Sequence, residues 1–218
     1  MRQQVVVIGL GRFGSSAARS LYNLGHDVLA IDIDEDRVQN MMGQVTHPVT
    51  GNASNEAVLR ELGITDYDAA VVAVGSDIVT SVMTSVLLKT MGVSYIVARA
   101  HDELHGNVLE RVGVDKVVHA ESEMGVRLAH NLFNPNLQEY LELGPSFGLS
   151  RMRAPQEFDD QTLKELGFSG PRDKYGLAVL AILRGRDVTV NPSENERIKA
   201  GDLLVLAGED ERLQNLPA

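Results

Sequence analysis

Cysteine is absent from the 218 residues, which excludes a disulfide framework, a thiolate metal site and a cysteine nucleophile. Long apolar runs are missing as well. The longest, Ala69–Val74 and Leu177–Leu183, fall well short of the roughly 20 residues that span a bilayer. No basic segment followed by an apolar run and a small-residue cleavage site precedes Val5, so no secretory signal is expected. Positive charge is scarce: 20 Lys and Arg against 30 Asp and Glu leave a formal charge of −10. No local basic cluster offsets it, and a phosphate backbone would be repelled, which argues against nucleic acid as a partner. The Gly-x-Ser-x-Gly elbow, the Walker lysine and Ser-x-x-Lys are also missing. No histidine follows residue 140, so that region lacks the commonest proton donor for hydride transfer.

What is present is an ordinary globular composition, 44% hydrophobic and 23% charged, long enough for one large domain or two small ones. The first two-thirds alternates short β-branched runs with helical spacing, the pattern of an α/β parallel sheet with crossover helices. Strands are expected near Val5–Ile8, Asp27–Ile31, Val45–Val49, Ala69–Val74, Tyr95–Ala98 and Lys116–Val118, enough for a doubly wound Rossmann-type sheet over residues 1–120. Leu104, Val108, Leu109 and Val112 mark the helix before the sixth strand, and Asp77 is placed to cap a helix running to Met91. The segment Ser122–Phe133 carries two apolar stripes, Met124-Leu128-Leu132 and Val126-Ala129-Phe133. Such a helix packs against two things, a second subunit being one choice and central burial the other. Residues 121–139 therefore read as a crossover helix and linker. From 140 to 218, short strands and Pro/Gly turns indicate a smaller α+β domain, with strands at Leu149–Arg153, Ala178–Leu183, Val188–Val190 and Leu203–Ala207 and a helix at Gln161–Leu166.

The sharpest local signal is Gly9-Leu10-Gly11-Arg12-Phe13-Gly14, which follows a strand, opens a helix and precedes Asp32 by eighteen residues. Gly9 permits the tight turn, Gly11 lets backbone approach a phosphate, and Gly14 lets the helix pack on the strand. Helix-start amides attract a pyrophosphate. Asp32 suits ribose hydroxyls and would repel a 2′-phosphate, which favours NAD(H), ADP or ATP over NADP. Arg12 is either a phosphate ligand or a solvated surface arginine. Asn52, Ala53, Gly75, Asp77, Arg99 and Glu121 follow successive strands, where doubly wound sheets bind ligands. Asp77 is the better helix cap, and Arg99 pairs either a phosphate or a surface carboxylate. His101 and His105 have metal-ligand spacing without a third ligand, and read best as two solvated histidines.

The segments Val-Ile-Gly-Leu-Gly-Arg-Phe-Gly (7–14), Ile-Asp-Ile-Asp (31–34), Gly-Asn-Ala-Ser (51–54), Val-Ala-Val-Gly (72–75), Ala-Arg-Ala (98–100) and His-Ala-Glu-Ser-Glu-Met-Gly (119–125) resemble the RCK/TrkA family. Arg-Asp-Lys-Tyr-Gly (172–176) and Lys-Ala-Gly-Asp-Leu-Leu-Val-Leu (199–206) extend the resemblance over the whole chain, as an RCK-N domain followed by RCK-C. It is strongest to KtrA-type cytosolic regulators of bacterial potassium uptake. The resemblance implies a non-enzymatic gating subunit that binds ATP, ADP or NAD(H). It also implies dimers assembled into an octameric ring on an integral membrane translocator at the cytoplasmic face. The candidate nucleotide contacts are then Gly9, Gly11, Arg12, Phe13, Gly14, Asp32, Asp34, Asn52, Ala53, Val74, Gly75, Arg99 and Glu121. Arg12 would reach a phosphate across a dimer interface, and Glu121 would help hold Mg2+ or another cation at the terminal phosphate. Arg172 matches an arginine at a cyclic di-AMP site between paired C-domains of some relatives. Asn52 departs from the aspartate of many relatives. A small NAD-dependent oxidoreductase is the alternative, supported by the glycine fingerprint and weakened by the absent catalytic group.

Overall fold

The computed structural model describes residues 2–75, 77–132, 136–168, 170 and 173–216, with backbone alone at 130 and 131. Arg172 and Phe133 lie outside the described residues. The chain divides into two compact units, Met1–Glu121 and Ser122–Ala218.

In the first unit, β1 (Gln4–Ile8), β2 (Asp27–Asp32), β3 (His47–Thr50), β4 (Ala69–Val72), β5 (Ile96–Arg99) and β6 (Lys116–Val118) form one sheet in the order β3-β2-β1-β4-β5-β6. Every pairing is parallel; Val5, for instance, stands opposite Val28 on one side and Ala69 on the other. Both faces of a parallel sheet are covered, so its strands are apolar throughout. Thus Val6 and Ile8 of β1 enter one buried cluster while Val5 and Val7 enter another. The crossovers are α1 (Arg12–Asn23), α2 (Glu35–Gln39), α3 (Glu56–Glu61), α4 (Ile78–Thr90) and α5 (Glu103–Val112). The order reverses between β1 and β4, which opens a crevice at the carboxyl ends of the strands.

Local chemistry explains the helix limits. Asp34, Asn55, Asp77 and Asp102 each accept backbone N–H bonds at the starts of α2 to α5, satisfying groups a helix start leaves orphaned. Gly25 after α1 and Gly113 after α5 have φ of +90° and +92°, a left-handed stop for which glycine is suited. The helix expected before the sixth strand is α5. On α5 the buried residues are His105, Gly106 and Leu109, whereas Leu104 is 75% exposed.

The helix α6 (Ala120–Asn131) spans the division between the units. Met124, Val126 and Leu128 are all exposed, which rules out the centrally buried alternative for this segment. The second unit continues with β7 (Leu137–Gly144), β8 (Phe147–Arg153), α7 (Leu163–Leu166), β9 (Ala178–Arg184), β10 (Asp187–Val190), β11 (Leu203–Glu209) and α8 (Asp210–Gln214). Its antiparallel sheet has the order β10-β9-β11-β8-β7. The expected domain start at 140 falls inside β7, a strand with no clear sequence signal. β7 pairs with β8 through irregular register, and Glu139 takes φ +54°. Among the described residues, no helix is long and apolar enough to cross a membrane.

Candidate nucleotide site

The turn from β1 into α1 is built by three glycines with different constraints. Gly9 has φ +93°, and a Cβ there would meet the Ala73 carbonyl carbon and the Val74 nitrogen at 3.0 Å. A Cβ on Gly14 would stand 1.8 Å from the Gly9 carbonyl oxygen, so only glycine lets α1 lie this close to the strand. Among the described residues, nothing comes within 4 Å of a Cβ built on Gly11. That position faces open space, where backbone can approach a ligand.

Gly11 is the N-cap of α1, with no side chain capping it and no acidic residue in the first turn. The next four helices of the unit are all capped by side chains. The N–H groups opening α1 are thus left for an outside acceptor, and the helix dipole favours an anion there. Gly9 N–H donates to the Ile31 carbonyl at 2.8 Å, which ties the turn to the end of β2.

Asp32, 7% exposed, ends β2 and closes the same turn. Its Oδ2 accepts the Leu10 N–H at 2.5 Å and its Oδ1 the Asp34 N–H at 3.0 Å, while Arg37 Nη1 lies 3.6 Å away. A carboxylate has about four acceptor positions, so capacity remains toward the cleft for ribose hydroxyls. Asp34 is turned elsewhere: it caps α2 through the Asp36 and Arg37 N–H groups and pairs with Arg37 Nε at 3.3 Å.

A cleft of about 890 Å³ runs along the strand ends, within the range of small-molecule sites. Gly9, Gly11, Arg12, Asp32, Asn52, Ala53, Val74, Gly75 and Arg99 line it. Phe13, Gly14, Asp34 and Glu121 are not on its wall. Asn52 spends its Oδ1 on the Ser54 N–H and Oγ, at 2.9 and 2.7 Å. Asp77 lines the cleft while capping α4, accepting the Thr80 N–H at 3.0 Å. Arg12 is exposed and forms no ion pair among the described residues. Arg99 pairs with Glu121, which opens α6. The carboxyl of Glu121 sits below its ordinary range, chiefly through the hydrogen bond from Arg99.

Ser15, Ile33, Arg37 and Thr80 also line the cleft and were missed in the sequence, and His101, read there as a solvated histidine, lines it too. Arg37, three residues beyond Asp34 on a short helix, is the one whose position offered a signal. The pair of solvated histidines is corrected by half. His105 is 2% exposed, and its Nδ1 accepts the His101 N–H at 3.1 Å, while its Nε2 is buried without a partner among the described residues. Burial pushes this imidazole below its ordinary pKa. A polar side chain was expected in water, but His105 occupies the buried stripe of α5 and is anchored by the turn before it.

The unsatisfied helix start, the open space at Gly11 and the carboxylate at Asp32 fit an adenine nucleotide with its phosphate over α1. Glu121, the residue expected beside a cation, is paired with Arg99, and among the described residues no three His, Asp or Glu side chains gather as a metal site.

Two family models match the chain, the TrkA-N domain over residues 5–120 and the TrkA-C domain over residues 150–216. The Ktr system potassium uptake protein C of Bacillus subtilis is 38% identical over 95% of this chain and 93% of its own length. The Ktr system potassium uptake protein A of the same organism is 36% identical, over 94% and 91%. Among solved structures, the GsuK channel bound to NAD superposes with TM-score 0.63 at 18% identity, over 98% of this chain. The chain spans only 38% of that channel's length, and the likeness is one of fold. With both models in their order and two relatives above 30% identity along nearly the full length, the chain belongs to the family of TrkA-N and TrkA-C domain proteins that includes Ktr potassium uptake proteins A and C.

Proposed function

We propose that the chain is a nucleotide-sensing regulatory subunit of a potassium uptake system, binding ATP, ADP or NAD(H) in the first unit. The observation that carries the reading is the uncapped start of α1 facing Asp32 across an open cleft. The names of its relatives supply the process, potassium uptake, and a similar fold holding NAD supports the ligand class. The partner is an integral membrane translocator, engaged from the cytoplasmic side by a ring of dimers. The exposed apolar residues of α6, Met124, Val126 and Leu128, support self-association.

The role is one of binding and switching, not turnover. A nucleotide shifts such a protein only as far as it prefers one conformation over another. The glycine loop and Asp32 supply binding common to all adenine nucleotides, so the discriminating contacts lie beyond them. Thermal-shift titration with ATP, ADP and NADH tests the reading. Ligand at a hundredfold excess over Kd should stabilise the first unit by about 2.7 kcal/mol. Indifference to all three sinks the proposal. A strict monomer in light scattering overturns the ring but leaves the nucleotide site standing.

A further inference from the structure

The second unit carries a hollow of its own, about 260 Å³ in volume, on the side of its sheet turned away from the core. Met152, Leu204 and Leu206 enter the buried cluster, and the residues alternating with them, Arg151 and Leu149 of β8 and Val205 of β11, line the hollow. Leu141 stands opposite Leu149, and Val205 opposite Arg151, so three aliphatic side chains make the floor. Arg127 of α6 and Glu139 of β7 complete the wall. All of these residues belong to Ser122–Ala218.

A bulge in β7 shapes the polar side. Between the Gln138–Arg151 and Leu141–Leu149 pairs, Glu139 and Tyr140 together face Ser150 alone. An extra residue of this kind re-aims a side chain. Tyr140 is buried in the core, whereas Glu139 takes φ +54° and accepts Arg151 Nη2 at 2.7 Å. Positive φ in a residue other than glycine is strained, and such strain gathers at functional sites. The arginines keep binding capacity. Arg151 Nε is buried with no acceptor among the described residues. Arg127 is exposed and enters no ion pair among them. A buried N–H without an acceptor costs free energy that a bound acceptor recovers.

We infer that this hollow binds a small organic monocarboxylate, its anion between Arg127 and Arg151 and its short carbon chain on Leu141, Leu149 and Val205. Two guanidiniums select an anion and match a carboxylate in geometry. The aliphatic floor offers nothing to inorganic phosphate, and the Glu139 carboxylate repels a dianion more than a monoanion. The volume is below that of sites for drug-sized ligands, which limits the chain to a few carbons. A carboxylate held by both arginines ties α6 to the sheet of its own unit. Residues 121–129 of that helix are otherwise exposed, so the ligand steadies a segment with little packing. The site involves no nucleotide and stands apart from the cleft of the first unit.

The test is a titration of the full chain with hexanoate, hexanol and inorganic phosphate, followed by the methyl resonances of Leu141, Leu149 and Val205. Hexanoate should shift them saturably, with a dissociation constant of about a millimolar or below, and hexanol and phosphate should not. Arg127→Gln changes an exposed side chain and should weaken hexanoate about tenfold, with the methyl spectrum of the free protein serving as the check on folding. Glu139→Gln removes the competing carboxylate and should tighten hexanoate several-fold. Amide exchange across residues 122–129 should slow with hexanoate in the wild type and not in Arg127→Gln. Absence of a hexanoate shift, an equal shift with hexanol, displacement of hexanoate by equimolar phosphate, or wild-type affinity in Arg127→Gln overturns the assignment.

Discussion

Among the described residues, each unit buries one aspartate almost completely: Asp32 is 7% exposed and Asp202 3%. Their surroundings differ. Asp202 accepts Arg184 Nε at 3.0 and 3.3 Å, Arg184 Nη2 at 2.7 Å and the Lys199 N–H at 2.9 Å. It is closed on its own unit, pinning β9 to the start of β11. Asp32 accepts two backbone N–H groups, its nearest cation is 3.6 Å away, and it borders the cleft. A buried charge with all its partners in the fold is structural, while one with spare acceptor capacity beside an open cleft marks a ligand site. The helix starts repeat the contrast within the first unit, where α1 alone among α1 to α5 lacks a side-chain cap.

Breaking the open side most severely requires Gly14→Ala. Its methyl group would clash with the Gly9 carbonyl at 1.8 Å, so the loop must move. The expected outcome is loss of nucleotide binding and a destabilisation of about 3 kcal/mol in the first unit, read by urea unfolding and titration. Next comes Asp202→Ala, which removes the carboxylate partner of Arg184 and leaves it only the Arg197 carbonyl. It should cost about 2 kcal/mol in the second unit and leave ATP and NADH affinities unchanged. Altered affinity would mean that the closed aspartate is not purely structural. Asp32→Asn preserves shape and one acceptor but removes charge. We expect adenine nucleotides to weaken about tenfold, with a smaller loss of stability from the one backbone N–H left without its acceptor. An equal loss of stability and binding would make Asp32 a loop staple only.

The smallest effect is a difference in pH response. The His105 imidazole is held below its usual pKa by burial, so the unfolded chain binds the proton more readily. That stability is present above about pH 6.5 and declines as pH falls below it. For Asp202, burial acts to raise the carboxyl, but the Arg184 hydrogen bond and the Lys199 N–H outweigh it and hold it low. Its contribution stays until about pH 3.9 and is lost below. Between pH 7 and 5, amide exchange should show the first unit weakening on account of His105. His105→Gln should flatten that step. An unchanged slope in the variant would assign it to other groups.

Much of the first unit was legible because its constraints are local. A glycine that needs φ +93°, or one whose Cβ would strike its own loop, is required by the turn itself. Apolar β-branched runs separated by capped helices read directly as strands and crossovers. The second unit was less legible. In β7, Leu137, Tyr140 and Leu141 sit at helical spacing, and the strand is made by pairing with β8 across an irregular register. His105 misled for a related reason: its polarity suggested water, but α5 packs beside α4 and buries it.

The sequence by itself determined the glycine turn, the parallel sheet, the acidic end of β2 and the succession of two domains. Each follows from steric or periodic requirements that neighbouring residues impose on one another. Tertiary structure alone decided which polar groups remain available. Arg99 is engaged because Glu121, 22 residues away, folds back onto it. Asp202 is closed by Arg184, 18 residues away, and Asp32 is left beside open space. A side chain's chemistry is written in its type, but its free valences depend on residues distant in sequence that only the fold brings into reach.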